Sequence, residues 1–278
     1  MRPGPVLGYI NELPPESAAT RAARHGIVAT RRAGLPIIVH RGVSRLAPEN
    51  TLEAYAAALD CGADGIEIDI RRSRDGVLYI FHDDTLERLA NATGPVAPLT
   101  YYELLRVTPK EVYGSATRDT RPPTLAAVLA LARDRAALLH LDIKEAGIEN
   151  DVAAMLTQAD VWDHVVEVNN YNADRIRADP RLRLMSYKGW LPEGGPESAD
   201  PTAIRTFPDP TAIRTFPDPT AIHTFLDDAR RQHQMVICDD PRPAAAALGR
   251  VPAEPRAVPP RLRAWWTPTR AKCCGAGG

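Results

Sequence analysis

Four polar clusters, each at or near the end of an apolar run and all lying between Pro36 and Asp83, constrain this chain more than any other feature. They are His40-Arg41-Gly42, Pro48-Glu49-Asn50-Thr51, Glu67-Ile68-Asp69 and His82-Asp83. A barrel or open α/β sheet collects its chemistry at strand ends. Two histidines and two carboxylates placed there point to a metal-assisted acid/base site.

The runs themselves read as strands. Ile37-Ile38-Val39 is short and wholly apolar, the pattern of a strand buried on both faces, and its end presents His40. Asn50 with Glu53 three residues later predicts a helix start, with Leu52, Tyr55, Ala56 and Leu59 at helical spacing and Gly62 as the stop. From Gly65 to Arg71, Ile66, Ile68 and Ile70 share one face while Glu67 and Asp69 share the other. Two acids on the inner face of a buried strand are costly unless something positive meets them. Val77 to Phe81 then delivers His82 and Asp83.

Residues 84–120 carry little periodicity beyond a short helix at Tyr101 to Leu105, and read as an insertion over the mouth of the barrel. Helical spacing returns at Leu125, Val128, Leu129 and Ala132. The strand Leu138 to Lys144 sets His140, Asp142 and Lys144 on one face. A helix at Glu149 to Ala159, a strand at His164 to Val168, a helix at Asn172 to Ala178 and strands at Arg183 to Tyr187 and Met235 to Cys238 continue the alternation of βαβ units and hence a parallel sheet. Between about 200 and 226 stand three near-copies of Asp-Pro-Thr-Ala-Ile-Arg-Thr-Phe-Pro; Pro208 and Pro217 stop the first two, and only the third runs on into a helix. They read as a tandem duplication accommodated as a loop.

At 278 residues the chain can bury one large core, and a single α/β barrel needs roughly 250. The expected organisation is a loosely ordered leader at 1–34 with a short helix near Glu16 to Arg24, a barrel at 35–250, and a disordered, basic, Pro-rich tail at 251–278. A net charge of −1 gives no reason to expect nucleic acid. Cys61, Cys238, Cys273 and Cys274 form neither a zinc pattern nor a disulfide framework. No signal peptide and no apolar run of membrane-spanning length is read from the sequence, and a cytoplasmic location is the expectation.

Glu67, Asp69 and Asp142 suit a hard divalent cation, Ca²⁺ or Mg²⁺, which would also explain buried acids. Arg41 and Lys144 beside them imply an anionic ligand, with phosphate the best match for Arg geometry. His40 and His82, expected at the ends of neighbouring strands, suit a base and an acid on opposite sides of a phosphorus centre. Together these describe metal-assisted phosphodiester cleavage. His140 reads as a hydrogen-bonded core residue; His164, His223 and His233 read as surface or structural; Asp83 and Glu49 as groups that orient neighbours.

Taken in order, His-Arg-Gly at 40–42, Pro-Glu-Asn-Thr at 48–51, Gly-x-Glu-x-Asp at 65–69, Asp-Gly at 75–76, His-Asp at 82–83, Pro-Thr-Leu at 123–125 and Asp-Ile-Lys at 142–144 resemble the glycerophosphodiester phosphodiesterase family. That resemblance implies a TIM (β/α)8 barrel hydrolysing a small glycerophosphodiester to an alcohol and glycerol 3-phosphate with a divalent metal. It implies His40 and His82 as the acid/base pair, Arg41 and Lys144 on phosphate, and Glu67, Asp69 and Asp142 on metal. The substrate's own glycerol hydroxyl would attack phosphorus, leaving a cyclic phosphate for water to open. Two departures stand out. Asp142 is one methylene shorter than the Glu usual there. After Tyr187 only Met235 to Cys238 is a convincing strand where a full barrel needs roughly three more, so the barrel is expected to be incomplete or irregular in its C-terminal half. The competing readings are a phospholipase C-like or lyase relative that stops at the cyclic phosphate, and a catalytically silent barrel that binds phosphodiester or metal.

Overall fold

The computed structural model of the protein describes residues 6–107, 110, 120–169, 173–191, 219–251, 256–263 and 265–267. Its strands are β1 (Val6–Gly8), β2 (Ile37–Val39), β3 (Gly65–Arg72), β4 (Leu78–Ile80), β5 (Leu138–Ile143), β6 (Val165–Asn169), β7 (Tyr187–Trp190), β8 (Met235–Cys238) and β9 (Trp265–Thr267). Its helices are α1 (Ala18–Ala33), α2 (Leu52–Asp60), α3 (Tyr101–Leu104), α4 (Leu125–Arg135), α5 (Glu149–Ala159), α6 (Asp174–Arg177), α7 (Pro219–Arg231) and α8 (Arg242–Ala247).

Among the described residues six strands run parallel in the order β6-β5-β3-β2-β8-β7, which is chain order wrapped around a barrel. The segment just before edge strand β7 reaches the other edge: the Met185 N–H donates to Val166 O in β6, while the Met235 N–H of β8 donates to Ser186 O, both at 2.9 Å. The sheet is thus the curled, incomplete α/β barrel that the sequence implied. Isoleucines 66, 68 and 70 pack outward with Leu139, Leu141 and Ile143 against α2, α4 and α5. Inside, Ile38, Leu138, Val166, Met235 and Ile237 fill the end where the strands begin, which leaves the other end polar.

Several expectations are corrected. The leader is not loose: α1 is 16 residues long, capped by Ser17, whose side chain accepts from the Thr20 N–H. Its Val28 joins the interior cluster, and its buried Arg24 pairs with Glu16 at 2.9 Å. In the tail, Leu262 is buried in the main core, the Arg256 N–H donates to Asp60, and β9 pairs antiparallel with β1. The strand expected at Arg183 to Tyr187 starts where that range ends, at Tyr187, because residues 185–186 bridge the two sheet edges and β7 pairs only with β8 from Tyr187 opposite Met235. β4 is no barrel neighbour of β2. It folds back antiparallel on β3 through the turn at Gly76, so His40 and His82 do not end adjacent strands. Helix α2 is capped by Thr51, not Asn50, since the Asn50 side chain is used inside the barrel. The first two nine-residue copies lie outside the described residues; the third opens α7.

Candidate active site

The polar mouth of the barrel is built in two rows by strand register. Glu67 lies beside His140 and His140 beside Glu167; one step further up, Asp69 lies beside Asp142 and Asp142 beside Asn169. Because alternate residues of a strand share a face, the same alternation that sends three isoleucines outward delivers Glu67 and Asp69 inward. Each of Glu67, Asp69 and Asp142 offers an oxygen, and these oxygens all lie within 4.8 Å of one another. Two oxygens bound to one calcium at the usual distances can stand no more than about 5 Å apart, so the set fits one hard cation.

Arg41 enters from the end of β2. Its backbone is left-handed, φ 54°, and its N–H donates to Glu67 Oε2 at 3.1 Å. Its guanidinium lies 3.2 Å from Asp69 Oδ2 and donates to Glu49 Oε1 at 3.2 Å. Lys144 Nζ stands 3.0 Å from Asp69 Oδ1 and 2.7 Å from Asp142 Oδ2. Asn50, itself held by the Tyr55 hydroxyl, donates to Asp69 Oδ2 at 2.6 Å. Burial would push the Asp69 carboxyl up, but Arg41 and Lys144 outweigh it and hold the group down. Glu67 goes the other way: burial first, then the charge of Asp69, raise it well above the usual carboxylate range.

Both histidines stand in carboxylate pairs. His40 Nδ1 is 3.1 Å from Asp239 Oδ1, its Nε2 is 4.0 Å from Glu67 Oε2, and its ring meets Trp190 edge to face at 4.9 Å. His82 Nδ1 is 2.6 Å from Asp83 Oδ1, and its charge reaches Asp69, lowering it. Burial would raise Asp83, yet hydrogen bonds from His82 and Arg88 hold it far below the usual range. A carboxylate on Nδ1 fixes the tautomer and leaves Nε2 as the working nitrogen. The backbone that carries His82 is pinned by buried Arg71, which donates to Phe81 O at 3.1 Å and His82 O at 2.7 Å.

Beside His40, a cavity of about 240 Å³ is lined by Glu67, Asp142, Asn169, Tyr187 and Trp190. His140 also borders it, but as a core residue: it is 5% exposed. Its Nε2 accepts from Asn169 Nδ2 at 2.8 Å, and burial lowers it to about 4. The structure therefore gathers Glu67, Asp69, Asp142, Arg41, Lys144 and His40 around one point, and His82 is near enough for its charge to lower Asp69. Sequence reasoning did not assign roles to Asp239, Trp190, Asn50 inside the barrel, or Arg88. Asp239 carried a signal, as the polar residue just after an apolar run; Arg88 and Trp190 carried none.

The model of the glycerophosphoryl diester phosphodiesterase family matches residues 40–189. The chain belongs to that family. Relatives include a glycerophosphodiester phosphodiesterase of Caldanaerobacter subterraneus subsp. tengcongensis, 32% identical over 156 residues, covering 53% of this chain and 64% of that protein. One of Bacillus altitudinis is 35% identical over 136 residues, 47% of this chain and 56% of that protein. The chain thus spans about half to two thirds of these relatives' length. In fold this phosphodiesterase-family chain is similar to a glycerophosphoryl diester phosphodiesterase from Parabacteroides distasonis, with TM-score 0.59, 24% identity, and coverage of 81% of this chain and 91% of that one. It is also similar to an Oleispira antarctica phosphodiesterase solved with the product sn-glycerol-3-phosphate, with TM-score 0.54, 20% identity, and coverage of 78% and 97%. All seven residues singled out above lie inside the matched span.

Proposed function

We propose that the chain hydrolyses small glycerophosphodiesters to an alcohol and glycerol 3-phosphate. The observation that carries this is the convergence of three carboxylates from β3 and β5 within 4.8 Å, with His40 4.0 Å from Glu67. Glu67, Asp69 and Asp142 would hold a divalent ion, Ca²⁺ or Mg²⁺, which when bound supplies positive charge to polarise a phosphoryl oxygen and offset developing negative charge. Glu67 and Asp69 are buried and repel each other, and such an ion would relieve that.

The histidines do the proton work. Asp239 and Asp83 orient His40 and His82 through Nδ1, so that one Nε2 accepts the proton of the attacking hydroxyl while the other donates one to the leaving alcohol oxygen. The attacking hydroxyl is the substrate's own, on the adjacent glycerol carbon, and the five-membered cyclic phosphate is opened by water with the roles exchanged. Arg41 and Lys144 turn their N–H groups toward the phosphate oxygens, which on binding compete with Asp69 and Glu49 for them. No side chain needs to act as nucleophile. The small substrate fits the cavity beside His40, and no helix among the described residues is long and apolar enough to cross a membrane.

The test is release of glycerol 3-phosphate from glycerophosphocholine and glycerophosphoethanolamine, with and without EDTA, by the wild type and His40→Ala. Product is expected only from the wild type without chelator. Activity that survives both treatments refutes the mechanism.

A further inference from the structure

Between Asp83, which supports His82, and Glu49, which pairs with Arg41, stands a residue that the expected roles leave out. Arg88 lies in the segment following β4, and its guanidinium grips two carboxylates at once. Nε and Nη2 donate to Asp83 Oδ2 and Oδ1 at 2.7 and 2.6 Å, while Nη1 and Nη2 donate to Glu49 Oε2 and Oε1 at 2.7 and 2.8 Å. Asp83 in turn holds His82 Nδ1 at 2.6 Å, and Glu49 accepts from Arg41 at 3.2 Å.

We propose that Arg88 is a positioning residue for the reaction inferred above, fixing Asp83 against His82 and Glu49 against Arg41 through one planar fork. The inference rests on that reading of the site, and adds to it a physical link between the general acid/base group and the phosphate-binding arginine. The chain His82, Asp83, Arg88, Glu49, Arg41 joins two loops that share no strand pairing, the one after β2 and the one after β4.

The geometry demands arginine. Two bidentate contacts that share Nη2 match the fork of a guanidinium, whereas an ammonium is a point charge and can satisfy only one side. Its backbone is held as well: Leu86 and Ala90, on either side of it, are buried with Tyr79, Phe81, Tyr101 and Leu104 in a second core. The segment after β4 therefore delivers the clamp. Without the fork, Asp83 loses two hydrogen bonds that oppose its rotation away from His82. Glu49, only 6% exposed in its side chain, loses two hydrogen bonds that hold it beside Arg41.

The experiment uses the full chain, with glycerophosphocholine as probe, and compares the wild type, Arg88→Ala and Arg88→Lys by kcat, KM and thermal melting. For folded Arg88→Ala, kcat is expected to fall on the order of 100-fold, and added guanidinium chloride at non-denaturing concentration is expected to restore part of it. Arg88→Lys keeps the charge but not the fork, and is expected to lose at least about tenfold. Either variant within about threefold of the wild type, or a folded Arg88→Ala that guanidinium does not rescue, overturns the proposal. A second readout does not need turnover: ¹⁵N NMR of the His82 ring should show a fixed Nδ1–H form in the wild type and exchanging tautomers in the variants. An unchanged His82 tautomer in Arg88→Ala or Arg88→Lys overturns the clamp. A wild type that releases no glycerol 3-phosphate refutes the reading of the reaction instead, and leaves the NMR comparison to decide the clamp.

Discussion

Glu67 and Asp69 leave β3 on the same side, two residues apart, yet only Asp69 is met closely by cationic side chains. Lys144 at 3.0 Å, Arg41 at 3.2 Å and the Asn50 amide at 2.6 Å surround it, while Glu67 receives the Arg41 backbone N–H at 3.1 Å. A buried carboxylate with so little compensation is unstable as an anion, and a shared divalent ion would correct that. Millimolar Ca²⁺ or Mg²⁺ is therefore expected to raise the melting temperature of the wild type, by an amount equivalent to about 2.7 kcal/mol at a hundredfold excess over Kd. Glu67→Gln should melt no lower than the wild type in EDTA and gain little from the ion. An equal ion-dependent rise in both proteins would put the ion elsewhere.

Lys144 bridges Asp69 and Asp142, and burial, which alone would lower its pKa, is outweighed by those two acids, which raise it. Removing one partner of a buried pair leaves the other charge uncompensated. Lys144→Met is expected to cost about 2–3 kcal/mol in urea unfolding, at the lower end for a buried pair because Arg41 and Asn50 still meet Asp69. A loss below about 0.5 kcal/mol would mean that the ammonium contributes no more than a surface pair.

How much of this was legible in the sequence follows from period and distance. The alternation of isoleucine with acid in β3 needs only the geometry of a strand, so both its faces could be read correctly. The two rows of inner-facing residues follow once strands are taken as parallel. What periodicity could not reveal was β4 folding back on β3, because a short apolar run reads the same in either direction. Arg24 and Val28 sit on a helix whose arginine-rich sequence reads as solvated, but its guanidinium groups are spent on the Asp160 and Asp163 carbonyls and on the Glu16 and Asp160 carboxylates. Asp239 and Arg88 act on histidines 199 and 6 residues away, and no local pattern ties such partners together.

Gly42 follows Arg41 with φ +78°, and a Cβ there would sit 2.7 Å from both the carbonyl carbon and the Cβ of Ala54 in α2. The two left-handed residues turn the chain so that the Arg41 N–H can reach Glu67. Gly42→Ala adds strain in that backbone region and a clash with helix backbone that cannot swing aside. The expected cost is about 2–3 kcal/mol by denaturant unfolding, with any folded fraction losing turnover as Arg41 is displaced. Stability within about 0.5 kcal/mol of the wild type would show that α2 gives way.

Away from the site, His164 and His25 lie with ring centroids 6.5 Å apart and should respond to pH with opposite signs. His164 is buried between the Ala137 carbonyl, 2.6 Å from Nδ1, and the Arg24 guanidinium, 2.8 Å from Nε2. Nδ1 must carry the proton and Nε2 must accept, so a second proton would face a cation; burial above all takes the group from 6.5 to about 4. Between those values the unfolded chain binds more protons than the native one, so stability is full above pH 6.5 and falls as pH drops toward 4. For His25, burial is outweighed by hydrogen bonds to Asp163 and Asp160, which raise it, so its contribution is present below its ordinary value and is lost as pH rises past it. His164→Gln should flatten the acid limb by up to about 1.4 kcal/mol per pH unit, and His25→Gln should leave that limb unchanged while flattening the neutral-to-alkaline one. Urea unfolding from pH 4 to 9 checks both slopes, and an acid limb equally steep in His164→Gln would assign it to other groups.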